Sequence, residues 1–231
     1  MRINTTPYLF LINALLTWSQ CARAQASFVN LDFEQAVIVL DQSNEYPPFA
    51  AVASNALPGW SFNGNRVGAN DINYNFTTGG SAAVSIHDIN TQFGQVPILQ
   101  GHYSVFLQGE FAFRPDALSV SLWQSGQIPS TARSLIFWGG PGAATFQITF
   151  NGQNVPFSII GSGSNYNIYG GDISTFSGQT GELRFTALPR RESVIDNIQF
   201  FTQSIPEPSS FALFGLGTLL LGFFGRRNSS Q

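Results

Sequence analysis

Apolar positions between residues 27 and 204 come in short runs, each broken by Gly, Asn, Ser or Pro. No long stretch repeats with helical spacing. In 143–151, Phe146, Ile148 and Phe150 fall on one side of an extended chain, and Gln147 and Thr149 on the other. Val120 and Leu122 alternate with Ser119 and Ser121, and Leu183 and Phe185 with Glu182 and Arg184. A period of two with one apolar side marks a half-buried sheet. This pattern predicts strands at 28–33, 37–40, 59–62, 72–76, 82–87, 101–113, 117–123, 133–138, 143–151, 155–160, 165–173, 181–187 and 194–202. Asn151-Gly152 signals a two-residue hairpin turn that joins 143–151 to 155–160. Segments 63–75, 139–142 and 161–163 read as loops. Many short strands with frequent turns predict an all-β fold, a β-sandwich or jelly roll.

The two ends differ from this body. Met1-Arg2, an apolar stretch over 9–18 and the small-x-small triplets Ala22-Arg23-Ala24 and Ala24-Gln25-Ala26 predict a signal peptide over 1–24, cut after Ala24 or Ala26. Signal peptidase is then a partner. At the other end, Pro206, Glu207 and Pro208 precede an uncharged apolar run over 211–225, closed by Arg226 and Arg227. The prolines fix φ on either side of Glu207 and make an extended, readable segment. A helix over 209–225 would reach about 25 Å, short for a hydrocarbon core of about 30 Å. It is a marginal membrane span with a positive stop.

This order of Pro-Glu-Pro, apolar run and basic pair closely resembles a PEP-CTERM sorting signal, here over 205–231. The resemblance implies export, recognition by an exosortase at Pro206, Glu207, Pro208, Arg226 and Arg227, and transient anchoring in the inner membrane. It also implies a setting rich in exopolysaccharide, a candidate partner.

Between the two ends lie about 178 residues, 27–204, enough for one domain with its own core. That stretch carries 6 Arg against 12 Asp plus Glu, and the whole chain has no lysine. The negative balance excludes nucleic acid, which requires a basic patch. The single cysteine, Cys21, leaves with the signal peptide, so no disulfide or thiol chemistry is expected.

Catalytic signals are weak. His87 and His102 sit in no zinc spacing, and there is no G-x-S-x-G elbow. The scattered acids offer no preferred glycosidase pair. Aromatics carry more promise. Tyr166 and Tyr169, beside Asn165 and Asn167, form a candidate stacking platform for sugar rings, whereas Trp60, Trp123 and Trp138 read as core.

Asn30-Leu31-Asp32-Phe33-Glu34, Leu57-Pro58-Gly59-Trp60, Gly181-Glu182-Leu183-Arg184-Phe185 and Val194-Ile195-Asp196-Asn197-Ile198 occur in an order that resembles galactose-binding-like jelly rolls of carbohydrate-binding modules. That resemblance implies a structural calcium held by Glu34 and Asp196, with Asn197 a departure from the second Asp often found there. The expectation is a non-enzymatic, exported cell-surface or matrix protein with a structural or adhesive, glycan-binding role. An exported polysaccharide hydrolase is the alternative.

Overall fold

The computed structural model describes residues 27–43, 49–64, 70–90 and 96–205. The expected signal peptide and the tail residues Pro206, Glu207, Pro208, Arg226 and Arg227 with the apolar segment 209–225 lie outside the described residues. Among the described residues no helix is long and apolar enough to cross a membrane.

In chain order the elements begin with β1 (Ala50–Val52), the single-turn α1 (Ala53–Ala56), β2 (Ser61–Phe62), β3 (Asp71–Tyr74), β4 (Ala83–His87) and β5 (Ser104–Gln108). They continue with β6 (Val120–Gln127), β7 (Ser134–Gly139), β8 (Gln147–Phe150) and β9 (Gln153–Asn154). The last are β10 (Ser158–Ser162), β11 (Asn167–Asp172), β12 (Thr180–Ala187) and β13 (Glu192–Phe201). Short 3-10 turns lie at Ala143–Thr145 and Ser174–Phe176. Eight strands form one sheet in the order β1-β3-β4-β5-β13-β7-β11-β10, and five form the other, β2-β6-β12-β8-β9. The fold is the two-sheet β-sandwich that the alternation predicts.

The inner faces meet in one core. Phe146, Ile148 and Phe150 are all buried there, as are Val120, Leu122, Leu183 and Phe185. Phe137 sits at the centre, edge-on to Phe157 and Phe185 and stacked on Tyr169. Trp60 closes one end beside Phe33, its indole N–H donating to the Asn30 carbonyl at 2.9 Å.

Asn151 (φ 49°) and Gly152 (φ 76°) form the predicted turn, with both residues in the left-handed region. Its partner strand is β9, however, and not 155–160. Val155 still donates to the Ile148 carbonyl at 2.9 Å, but Pro156 has no N–H to continue the ladder. The chain crosses there to the other sheet, where β10 pairs with β11. Three further expectations fail at their ends. Residues 28–33 form no strand: a single bridge, Ser27 to Gln127, precedes them, and the chain then turns with Asn30 and Phe33 at positive φ. Residues 37–40 contribute one bridge, Leu40 to Ala51. The expected strand 101–113 shrinks to β5, because Gly101 (φ 62°) turns the chain and Gly109 leaves β4 to bond Arg191.

The outer face of the larger sheet departs most from the half-buried expectation. Register places Asn73, Ser85, Phe106 and Val194 in one row across it, His87 opposite Ser104, and Gln108 between Ala83 and Glu192. Asn73, Ser85, His87, Ser104, Gln108 and Asp196 are all buried, although they face away from the core. Leu99 and Val96 pack over Phe106 and Val194, beside Trp138 and Tyr166, and make a second, smaller apolar cluster on that face.

Candidate functional site

Tyr166 and Tyr169 do not form a platform together. Tyr169 is 1% exposed and stacks on Phe137, with ring centroids 5.1 Å apart and planes 13° apart. It is a core residue with no face to offer a ligand. Tyr166 lies on the opposite side of the sheet, stacked on Trp138 at 4.1 Å and 7°. Gly163 packs so closely on its phenol ring that no Cβ would fit. The reason is parity: in extended chain, residues three apart point to opposite faces. Trp123 is half-buried on the outer face of the smaller sheet, under the Arg184 guanidinium at 4.0 Å.

Glu34 and Asp196 do act on one place. Both grip the segment between Leu99 and Ser104. Glu34 Oε1 accepts the backbone N–H groups of His102 (2.8 Å) and Tyr103 (3.0 Å), and Oε2 lies 3.1 Å from His102 Nδ1. Asp196 Oδ2 accepts from the Ser104 hydroxyl (2.6 Å) and the Gln100 N–H (3.1 Å), while Oδ1 accepts from Asn197 N–H (2.6 Å). Gly101 has no side chain because Glu34 occupies the space a Cβ would need. Burial pushes the Asp196 carboxyl up to about 7 against the pull of its hydrogen bonds, and the Glu34 charge adds to the rise. Gln100 Oε1 is buried without a hydrogen-bond partner. Two carboxylates bind one short segment, and Gln100 on that segment carries an orphaned amide oxygen; a hard cation takes oxygens of these kinds. Among the described residues, no three His, Cys, Asp or Glu side chains cluster to hold a metal, so calcium would have to draw on amide or backbone oxygens besides these two acids.

His87 is fully buried, edge-on to Phe106 at 6.0 Å, and burial lowers its imidazole to about 4. It stays neutral and out of reach of a substrate.

The outer face also carries a cleft of about 400 Å³, lined by Thr77, Gly79, Gly80, Val96, Phe106, Gln108, Phe111 and Glu192. β5 supplies Phe106 and Gln108, two residues apart and so on one face. β13 supplies Glu192, directly opposite Gln108. The turn at Gly79 (φ 62°) and Gly80 (φ 116°) forms one wall, and the Gly80 carbonyl accepts from Phe111 N–H at 2.8 Å. Phe111 is 43% exposed, whereas Phe106 and Gln108, which line the same cleft, are almost fully buried. Partial burial raises the Glu192 carboxyl. The cleft therefore offers an open ring and a carboxylate to one ligand, with the Gln108 amide in its floor. Such a combination suits a molecule with C–H faces and hydroxyl groups. The sequence held a signal for it, the aromatic–amide pair at 106 and 108, but only once the outer face of that strand is known to be roofed.

The enzymatically active domain of tailspike protein 4 of bacteriophage CBA120 is 16% identical to this chain, with a TM-score of 0.34. It covers 62% of this chain, which spans 19% of the tailspike chain. TmCBM61, solved in complex with β-1,4-galactotriose, is 16% identical over 78% of this chain and 100% of its own, with a TM-score of 0.36. No curated protein sequence is detectably similar to the chain. Residues 204–228 match the PEP-CTERM protein-sorting motif, so the tail is the sorting signal that its Pro-Glu-Pro, apolar run and basic pair resemble.

Proposed function

We propose that this is an exported protein, matured at both ends, whose sandwich over 27–204 binds glycans at the cell surface or in the surrounding matrix. The sorting motif supports exosortase as the processing partner and the envelope as the destination. Signal peptidase removes 1–24, or two residues more, and the segment 209–225 holds the chain in the membrane until the tail is taken off.

The observation that carries the glycan reading is the cleft in which the exposed Phe111 ring meets Gln108 and Glu192. A pyranose would lay its C–H face on Phe111 and hydrogen-bond the amide and carboxylate. We read the role as adhesive or structural: among the described residues the cleft lining presents one carboxylate, Glu192, where glycoside hydrolysis uses a pair. Calcium would be held by Glu34, Asp196 and Gln100 Oε1, tying the turn before residue 35 to β13. It would supply a fixed positive charge where the buried Asp196 carboxyl otherwise resists ionisation.

Glycan-array screening followed by calorimetric titration tests the site. Binding is expected for the parent, and Phe111→Ala and Gln108→Ala should each weaken it at least tenfold. Absence of any glycan ligand, or unchanged affinity in both variants, defeats the reading. Release of reducing ends from a bound polysaccharide would favour the hydrolase instead. Mass spectrometry of both mature termini tests the processing.

A further inference from the structure

We propose that the cleft is one end of a longer track for an acidic polysaccharide, with Arg190 and Arg191 holding a carboxylate of the ligand. The proposal rests on the glycan-binding reading and extends it to a ligand class.

Phe111 is a shared wall. On its other side lies a hollow of about 350 Å³ lined by Phe111, Phe113, Pro189, Arg190 and Arg191. A third hollow, of about 320 Å³, continues past Phe113, Pro189 and Arg190 to Arg114. The first two hollows share Phe111, and the second and third share Phe113, Pro189 and Arg190, so the lining passes from one to the next along the two loops that follow β5 and β12. Phe113 is 91% exposed at the tip, with the Arg190 guanidinium 5.2 Å from its ring centroid. An open ring beside an open ring along a groove suits a chain of sugars rather than one.

The loops are built to hold this shape. Gly109 N–H donates to the Arg191 carbonyl at 2.9 Å, and Arg190 N–H to the Glu110 carbonyl at 3.0 Å. Gly109 abuts the Leu188 carbonyl so closely that a Cβ would collide with it. Arg190 itself sits at φ 59°, a conformation that glycine adopts freely and arginine does not. Strain of this kind persists where the surrounding contacts over-determine it, and it gathers at binding sites.

Charge then selects the ligand. Arg114 is already neutralised, bonded to Glu110 at 2.8 Å and 3.6 Å from Asp116. Among the described residues, neither Arg190 nor Arg191 has a carboxylate partner within an ion-pair distance. Two adjacent unpaired guanidiniums in a domain with twice as many acids as bases form a local anion site. A flat anionic membrane would also meet Glu110, Asp116 and Glu192 around them. A sugar chain can place one carboxylate on the arginines and a neutral unit over Phe111 beside Glu192.

The test uses the purified full-length protein and three polyuronates: polygalacturonate, alginate and hyaluronan. Each is paired with its carboxyl-reduced form, which keeps the backbone and loses the charge. At least one acidic polymer should bind ten times or more tighter than its reduced partner, with affinity falling as salt rises. R190Q/R191Q should lose that difference, while Q108A weakens both forms. Circular dichroism and urea unfolding confirm that the variants fold. Equal binding of the acidic and reduced polymers, or undiminished binding by R190Q/R191Q, overturns the proposal and leaves the glycan cleft standing. Binding to phosphatidylglycerol vesicles without binding to any polymer also overturns it, since the arginines would then serve a lipid surface. Failure to bind any polymer, acidic or neutral, removes both readings together.

Discussion

Ile205 fills the space that Gly170 leaves empty. A Cβ on Gly170 would collide with Ile205 Cδ1 and come within 2.9 Å of Ile160 Cδ1. The strap leading to Ile205 is tied down as well. Arg133 N–H donates to the Phe201 carbonyl at 2.6 Å, and the Ser134 hydroxyl to the Gln203 carbonyl at 2.8 Å. The matched sorting motif begins at Ser204, so its first two residues are part of the folded sandwich.

Gly170→Ala should therefore loosen the strap. Overpacking of this kind costs about 1–3 kcal/mol, read as a lower urea midpoint. Limited proteolysis should cut faster near residue 204, and the tail should be removed sooner in cells that have an exosortase. An unchanged cleavage pattern would show that Ile205 is not held by this contact.

Phe111 and Tyr169 should separate binding from stability. Phe111→Ala removes an exposed ring and should abolish glycan binding with little change in unfolding. Tyr169→Ala opens the core beside Phe137 and should cost about 3–5 kcal/mol. Paired calorimetric and urea measurements on the two variants check this.

Asp196 and His87 should give opposite pH slopes in chelator. The Asp196 carboxyl rises from its ordinary 3.8 to about 7, so the folded state binds the extra proton. Its contribution is fully favourable below about 4 and is lost as pH rises through 7. His87 falls from 6.5 to about 4, so the unfolded state binds the extra proton. Its contribution is present above 6.5 and is lost as pH falls towards 4. The parent should show a nearly flat stability profile from pH 4 to 6.5. Asp196→Asn should turn that into stability rising with pH, and His87→Asn into stability falling with pH. Melting curves at half-unit steps would decide it.

Calcium should reverse the Asp196 penalty. At pH 7.5, a calcium concentration one hundred times the dissociation constant stabilises by about 2.7 kcal/mol. That should raise the melting temperature by several degrees and be undone by chelator. Asp196→Asn and Glu34→Gln should each remove the response. A melting temperature indifferent to calcium in the parent would rule out a structural ion held by Glu34 and Asp196.

Local chemistry settled a good deal before any contact was known. Alternation at 146–150 and 183–185 needs only the pleat to put Phe146, Ile148, Phe150, Leu183 and Phe185 on a buried side, and all five are buried. The Asn151-Gly152 turn needs only two residues that tolerate positive φ. The sorting signal is contiguous, so its parts were legible in order.

Tertiary structure decided the rest, because those features depend on residues far apart in the chain. Parity says that Tyr166 and Tyr169 point to opposite faces, but only the second sheet makes one of those faces the core. Glu34 and Asp196 meet on the segment before Ser104 only because the first turn and the last strand flank it. Leu99 and Val96 roof Phe106 on what alternation reads as a solvent face, and Val96 and Phe106 also line the cleft. Pleat and turn preferences act over a few neighbouring residues. Which faces are covered, and what lies beside a carboxylate, is set by packing between strands that the sequence keeps apart.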